Sequence, residues 1–301
     1  MRFLRLLTLK NGVAAALHGQ TVVPLASLGF SGSLLDLIEA GPLIQRAVAE
    51  RLTPSSLGTP LRLSDLGPPL RRPPKIVAVG LNYRAHAQEA GQELPASPLV
   101  FAKFSSALAG PYDRIEAHPH LTRQLDYEVE LAAVIGQRAR NVLADDALRH
   151  VFGYCVANDV SARDLQFADG QWVRAKSLDS FCPLGPWIVT ADEVPDPGAL
   201  RLVCAVNGEV RQDSSTDKLI FSLPELISRL SASFTLEPGD VILTGTPEGV
   251  AFGRTPPVYL KSGDEVRCWI EGLGELRNRV GHSRGDSRGS KSRRAAAAGA
   301  A

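Results

Sequence analysis

Asp126-Tyr127-Glu128-Val129-Glu130-Leu131 is the stretch on which both fold and chemistry turn. It opens the segment YEVELAAVIG, which reads as a β-strand. In a strand, side chains two residues apart leave the same face, so Glu128 and Glu130 stand side by side. Two such carboxylates repel each other unless a cation or a proton lies between them. The next β-rich apolar run, HVFGYCVANDV, ends at Asp159. Delivered from the end of a neighbouring strand, that residue adds a third carboxylate. The set is then an all-oxygen site suited to a hard cation, Mg2+ or Mn2+. The competing reading puts Glu128 and Glu130 on the solvated face of an alternating strand, the commoner fate of an isolated E-x-E.

The surrounding 301 residues are 44% hydrophobic and 22% charged, enough for one large core or one core with a small domain. A formal net charge of +1 gives no reason to expect nucleic acid or an anionic membrane as partner. The cysteines Cys155, Cys182, Cys204 and Cys268 show no zinc-like pairing and are expected to be buried, reduced thiols. No run approaches a membrane span. Lys10-Asn11-Gly12 interrupts any signal-peptide core and suggests a hairpin, so a cytoplasmic enzyme is expected.

Short apolar runs separated by turns fill residues 1 to about 30, and two helical patterns follow. The proline-rich segment SDLGPPLRRPPK, Ser64–Lys75, is the expected boundary between a small domain, 1–70, and the main one, 71–282. Residues 283–301, SRGDSRGSKSRRAAAAGAA, are expected to form a disordered basic tail.

Further candidates lie between these landmarks. KIVAVGLNY reads as a buried strand and RAHAQEAG as a short helix, on which His86 and Glu89 are i and i+3. The carboxylate can then orient the imidazole, although a solvated surface pair has the same spacing. His118 and His120 flank a proline in a loop. Lys176 falls in what reads as a strand-like segment, where it either snorkels outward or is held by negative charge. LRLVCAVNGEVRQD is a hairpin around Asn207-Gly208, and SLPELISRLSASFTL a helix capped by Ser222. Thr244, Gly245 and Thr246 offer hydroxyls and amides suited to a carboxylate ligand, or form a plain turn.

The blocks GLNYRAHAQEAG, FAKFSSALAGP, DYEVELAAVIG, ANDVSARDLQ, RAKSLDSFCPLGPWIV, VNGE, PGDVILTGTPEGV and YLKSGDEV, in that order, resemble the fumarylacetoacetate hydrolase family. PYD after SALAG, FCPLGP and PPVYLKSGDEV point to its branch of domain-containing proteins with a small N-terminal domain, some linked to oxaloacetate keto–enol tautomerisation. The resemblance implies an α+β, mainly β fold: a catalytic domain of coiled mixed β-sheet plus a small N-terminal β/α domain, usually in a homodimer. It places Mg2+ on Glu128, Glu130 and Asp159, a catalytic dyad on His86 and Glu89, and a lysine near the metal on Lys176. Arg163, Gln166 and Thr246 would line the substrate site. The implied substrate is a small 2-oxo or β-diketo acid that reacts through a metal-stabilised enolate. The first expectation is a carbon–carbon hydrolase of the acylpyruvate or fumarylpyruvate type. Oxaloacetate tautomerase, decarboxylase and 2-hydroxyhepta-2,4-diene-1,7-dioate isomerase are alternatives, and a non-catalytic binding protein is the alternative of another class.

Overall fold

A computed structural model describes residues 5–282; the expected basic tail lies outside them. The strands in chain order are β1 (Leu6–Thr8), β2 (Ala14–His18), β3 (Thr21–Pro24), β4 (Thr59–Pro60), β5 (Ile76–Gly80), β6 (Leu99–Lys103), β7 (Leu108–Ala109), β8 (Ile115–Glu116), β9 (Leu125–Asp126), β10 (Val129–Ile135), β11 (Val151–Asn158), β12 (Ser161–Ala162), β13 (Cys182–Thr190), β14 (Arg201–Val206), β15 (Glu209–Ser215), β16 (Val241–Leu243), β17 (Glu265–Ile270) and β18 (Gly274–Gly281). The helices are α1 (Leu34–Glu39), α2 (Gly41–Glu50), α3 (Arg84–Glu89), α4 (Ala144–Ala147), α5 (Arg163–Asp169), α6 (Val173–Lys176) and α7 (Leu223–Ser233). This is the α+β, mainly β class that the sequence indicates.

The larger sheet has 11 strands in the order β4-β3-β2-β1-β13-β11-β10-β16-β5-β6, with β7 beside β13. Its pairing is mixed: β16 runs parallel to β5, whereas β10, β11 and β13 are antiparallel neighbours. A five-stranded sheet, β15-β14-β17-β18-β8, packs against its centre. The strands between the layers read as continuous apolar runs because both faces are covered. Every residue of β10, β11 and β13 is buried. Burying each Val, Leu or Ile contributes about 1.5–3 kcal/mol, so these three strands anchor the core. By contrast, β14 and β17 alternate, with one face turned toward water.

The hairpin around Asn11-Gly12 forms between β1 and β2, and β1 joins the large sheet through the pair Leu6 and Ile188. Asn207 and Gly208 both take positive φ, +52° and +84°, as a two-residue β14–β15 turn requires. Helix α7 begins with a capping box between Ser222 and Glu225 and carries Pro224 in its first turn. All four cysteines are buried and free.

One local expectation changes. Lys176 is not in a strand; it closes the short helix α6, where its amide donates to the Trp172 carbonyl at 3.0 Å. The alternation in Trp172-Val173-Arg174-Ala175-Lys176 imitates a strand, but no partner strand pairs with it. The strand begins only at Cys182, beyond a turn in which Ser180 takes φ +69°.

Candidate active site

Glu128 directly precedes β10 and Glu130 lies within it. Glu128 stays extended because its amide donates to Asn158 Oδ1 at 3.0 Å and its carbonyl accepts from the Asp159 amide at 2.9 Å. Val129 opposes Asn158 in the β10–β11 ladder, which carries Asp159 off the end of β11 beside the two glutamates. One carboxylate oxygen from each of Glu128, Glu130 and Asp159 lies within 4.8 Å of the others, and all three residues are buried. The solvated-face reading is thereby excluded. Among the described residues this is the one group of three or more His, Cys, Asp or Glu with metal-holding spacing, and His118 and His120 are not part of it.

Three cations surround these carboxylates. Lys176 Nζ donates to Glu128 Oε2 at 2.6 Å and to Asp159 Oδ2 at 3.0 Å. Arg163 donates from Nη2 to Glu128 Oε1 at 2.5 Å, from Nε to Asp126 Oδ2 at 2.8 Å and from Nη1 to Gln166 Oε1 at 2.9 Å. Lys103 Nζ donates to Asp159 Oδ1 at 2.5 Å, to the Lys176 carbonyl and, at 3.5 Å, to the Val160 carbonyl. With Asp126 included, four carboxylates meet three cations. Burial raises Glu128, but Lys176, Arg163 and His86 together outweigh it and hold the group at about 2. Glu130 has no cation of its own among the described residues and accepts from the Gly245 amide at 2.8 Å. Burial, Asp159 and Glu128 push its carboxyl well above the ordinary range, against the weaker pull of Lys176 and that amide. A buried carboxyl held up by two like charges is a place where a hard cation can replace a proton. The donor set therefore fits a divalent metal.

His86 and Glu89 lie on α3, with His86 Nδ1 3.2 Å from Glu89 Oε2. A carboxylate only accepts, so Nδ1 donates to it and Nε2 is the ring nitrogen left for another partner. The other glutamate oxygen accepts from the Gly249 amide at 3.0 Å, which fixes the dyad to the loop after β16. His86, the three carboxylates, Arg163, Gln166, Lys176 and Thr246 line a single cavity of about 290 Å³. The structure thus brings these eight side chains around one cavity, with Glu89 behind His86. The Thr246 hydroxyl is already engaged, donating to the Val129 carbonyl and accepting from Gln212 Nε2. A carboxylate held there must take a different donor.

Two residues belong with the site that sequence reading passed over. Asp126 accepts from Arg163 Nε and from the Tyr127, Ala251 and Phe252 amides, and so anchors the loop that carries Phe252. Lys103 was visible only as a lysine inside an apolar strand. In β6 the pattern is inverted, because Leu99 and Val100 are exposed while Lys103 is buried.

The family model described as "Fumarylacetoacetate (FAA) hydrolase C-terminal" matches residues 75–281. A Bos taurus protein named "Oxaloacetate tautomerase FAHD2A, mitochondrial" is 51% identical over 214 residues, covering 70% of this chain and 68% of its own. The crystal structure of a putative HpcE protein from Mycobacterium smegmatis has a TM-score of 0.85 and 39% identity, covering 93% of this chain and 99% of the other. The maleylpyruvate hydrolase from Sphingobium sp. SYK-6, solved with manganese(II) and pyruvate, has a TM-score of 0.77 and 33% identity, covering 93% and 100%. The expectation of a cytoplasmic protein is overturned here, since the name of the Bos taurus relative places it in mitochondria. An interrupted apolar core bears only on a secretory signal, whereas an organelle-import segment is amphipathic and rich in arginine.

Proposed function

We propose a reaction for this chain from an established premise: it belongs to the fumarylacetoacetate hydrolase family, whose model covers residues 75–281. The chain is a divalent-metal-dependent enzyme that interconverts the keto and enol forms of a small 2-oxo acid of the oxaloacetate type. The observation that carries this reading is the convergence of the buried carboxylate triad, Lys176 and the His86–Glu89 dyad on one cavity. The sequence put carbon–carbon hydrolysis first. The name of a relative half identical over 214 residues favours its tautomerase alternative.

Glu128, Glu130 and Asp159 would hold the cation, Mg2+ or Mn2+, which supplies Lewis-acid polarisation of the substrate's 2-oxo group. Lys176 spends two of its three N–H donors on Glu128 and Asp159, and the third can face the oxygen on which enolate charge develops. His86 Nε2 takes the proton as the C3–H bond breaks and C2=C3 forms. The carbonyl electron pair moves to the 2-oxo oxygen, which takes a proton from water to complete the enol, while His86 returns the C3 proton to water. Glu89 fixes the imidazole tautomer throughout. The same residues, run in reverse, return the proton to C3.

The test follows enol absorbance of oxaloacetate with and without Mg2+ or Mn2+, with pyruvate quantified in parallel. Metal-dependent keto–enol equilibration without pyruvate is the expected result, and Asp159→Ala should abolish both metal binding and exchange. Full activity in metal-stripped protein would sink the metal reading. Stoichiometric pyruvate from an acylpyruvate would restore the hydrolase.

A further inference from the structure

The active-site cavity extends beyond its polar groups, and much of its remaining lining is aromatic. Trp172 meets Phe101 edge to face with ring centroids 5.4 Å apart, and Phe167 meets Phe252 in the same way at 5.8 Å. All four residues line the cavity. The position of Trp172 is shaped for its ring: a Cβ added to Gly80 would come within 2.4 Å of the Trp172 ring. Phe167 is 63% exposed although it borders the cavity, so its ring still has apolar surface to bury.

The cations lining this cavity are already committed. Lys176 is held by Glu128 and Asp159, and Arg163 by Asp126 and Glu128. A second carboxylate carried far from the 2-oxo group would therefore lose its hydration among aromatic rings and find no free cation in exchange. An apolar group in the same place would gain by burial and by edge contacts with the rings.

We propose, resting on the reading above of a small 2-oxo acid whose 2-oxo group is polarised at the carboxylate triad, that the site takes 2-oxo acids bearing an apolar, preferably aryl, group. That group sits against Trp172 and Phe167, and long dicarboxylates are disfavoured. A four-carbon acid occupies only the polar end of the cavity.

The test is calorimetric titration of the Mn2+-loaded full chain with oxamate, benzoylformate and 2-oxoadipate. Benzoylformate has no hydrogen on the carbon beside its 2-oxo group, so its binding is read without turnover. It should bind about tenfold more tightly than oxamate, the scale expected for burying part of an aryl ring, while 2-oxoadipate binds no more tightly than oxamate. Trp172→Ala and Phe167→Ala should each lower the benzoylformate-to-oxamate ratio at least about threefold. Phe167 is solvent-facing, so its variants keep the test open if Trp172→Ala fails to fold. Phe167→Arg should shift preference toward 2-oxoadipate. Equal binding of benzoylformate and oxamate, tightest binding of 2-oxoadipate, or a ratio unchanged in the variants that fold would overturn the inference. If none of the three binds, the 2-oxo acid reading of the site fails and takes this inference with it.

Discussion

The two sheets both carry opposite charges at close range, and the settings differ completely. At the ends of β10 and β11, Lys103, Lys176 and Arg163 meet Asp126, Glu128 and Asp159 with almost no water. On the smaller sheet, Arg201 pairs with Asp213 and Arg267 with Glu275 at similar distances in the open. Distance alone does not rank these pairs. Exposed pairs gain little over hydration, whereas removing one member of a buried pair strands a charge. The buried network costs desolvation to assemble, yet it presents preorganised charge to a ligand without needing water to rearrange.

Four changes would break or sharpen that contrast. Lys103→Met should be the most damaging to the fold, because it leaves Asp159 Oδ1 buried without its ammonium partner. A loss of about 3–5 kcal/mol is expected for breaking a buried pair, read from urea denaturation of the metal-free protein. A loss no larger than that of a surface variant would remove Lys103 from the network. His86→Ala should slow keto–enol exchange by about 10²-fold, within the range for general acid–base catalysis, while calorimetry shows the metal still bound. Loss of the metal in that variant would show that His86 supports the triad rather than the proton transfer.

The third prediction concerns pH. The folded, metal-free protein raises the Glu130 carboxyl above its unfolded value, so between the two values the folded state binds more protons. Stability from this group is therefore present below the unfolded carboxyl value of about 4.3 and lost as pH rises through the folded one. Melting temperature in EDTA should fall over that window, and Mn2+ or Glu130→Gln should flatten the slope. Identical slopes in all three samples would show that Glu130 does not carry the effect. The smallest change is expected from Arg201→Ala, which should leave the denaturation midpoint within measurement error, since its pair with Asp213 is exposed. A clear drop would mean that the smaller sheet depends on its surface charges more than exposure suggests.

Local patterns made part of the site legible. The i, i+2 spacing of Glu128 and Glu130 defines a shared face in extended chain, and the i, i+3 spacing of His86 and Glu89 defines one on a helix. The Asn207-Gly208 turn and the Ser222 cap were readable because the chemistry that makes them is confined to a few residues. Lys103 and Asp126 were not, because their partners lie far along the chain: Lys103 meets Asp159, 56 residues away, and Asp126 meets the Ala251 amide, 125 residues away. Alternation also misled at Lys176, since a short helical turn and a strand share the same few-residue pattern until a partner strand is present or absent.

The sequence by itself determined the hard-oxygen character of the site, the dyad spacing, the mainly β class and the family. The first two follow from residue types at short, fixed separations, and the class and family from the resemblance carried by the ordered blocks. Tertiary structure alone decided that the three carboxylates share one buried point, that Lys103 is turned inward from a strand on which Leu99 and Val100 are exposed, and that aromatic rings border the same cavity. Each of these depends on which distant strands pair and in what register. A one-residue slip would turn every side chain of such a strand to its other face.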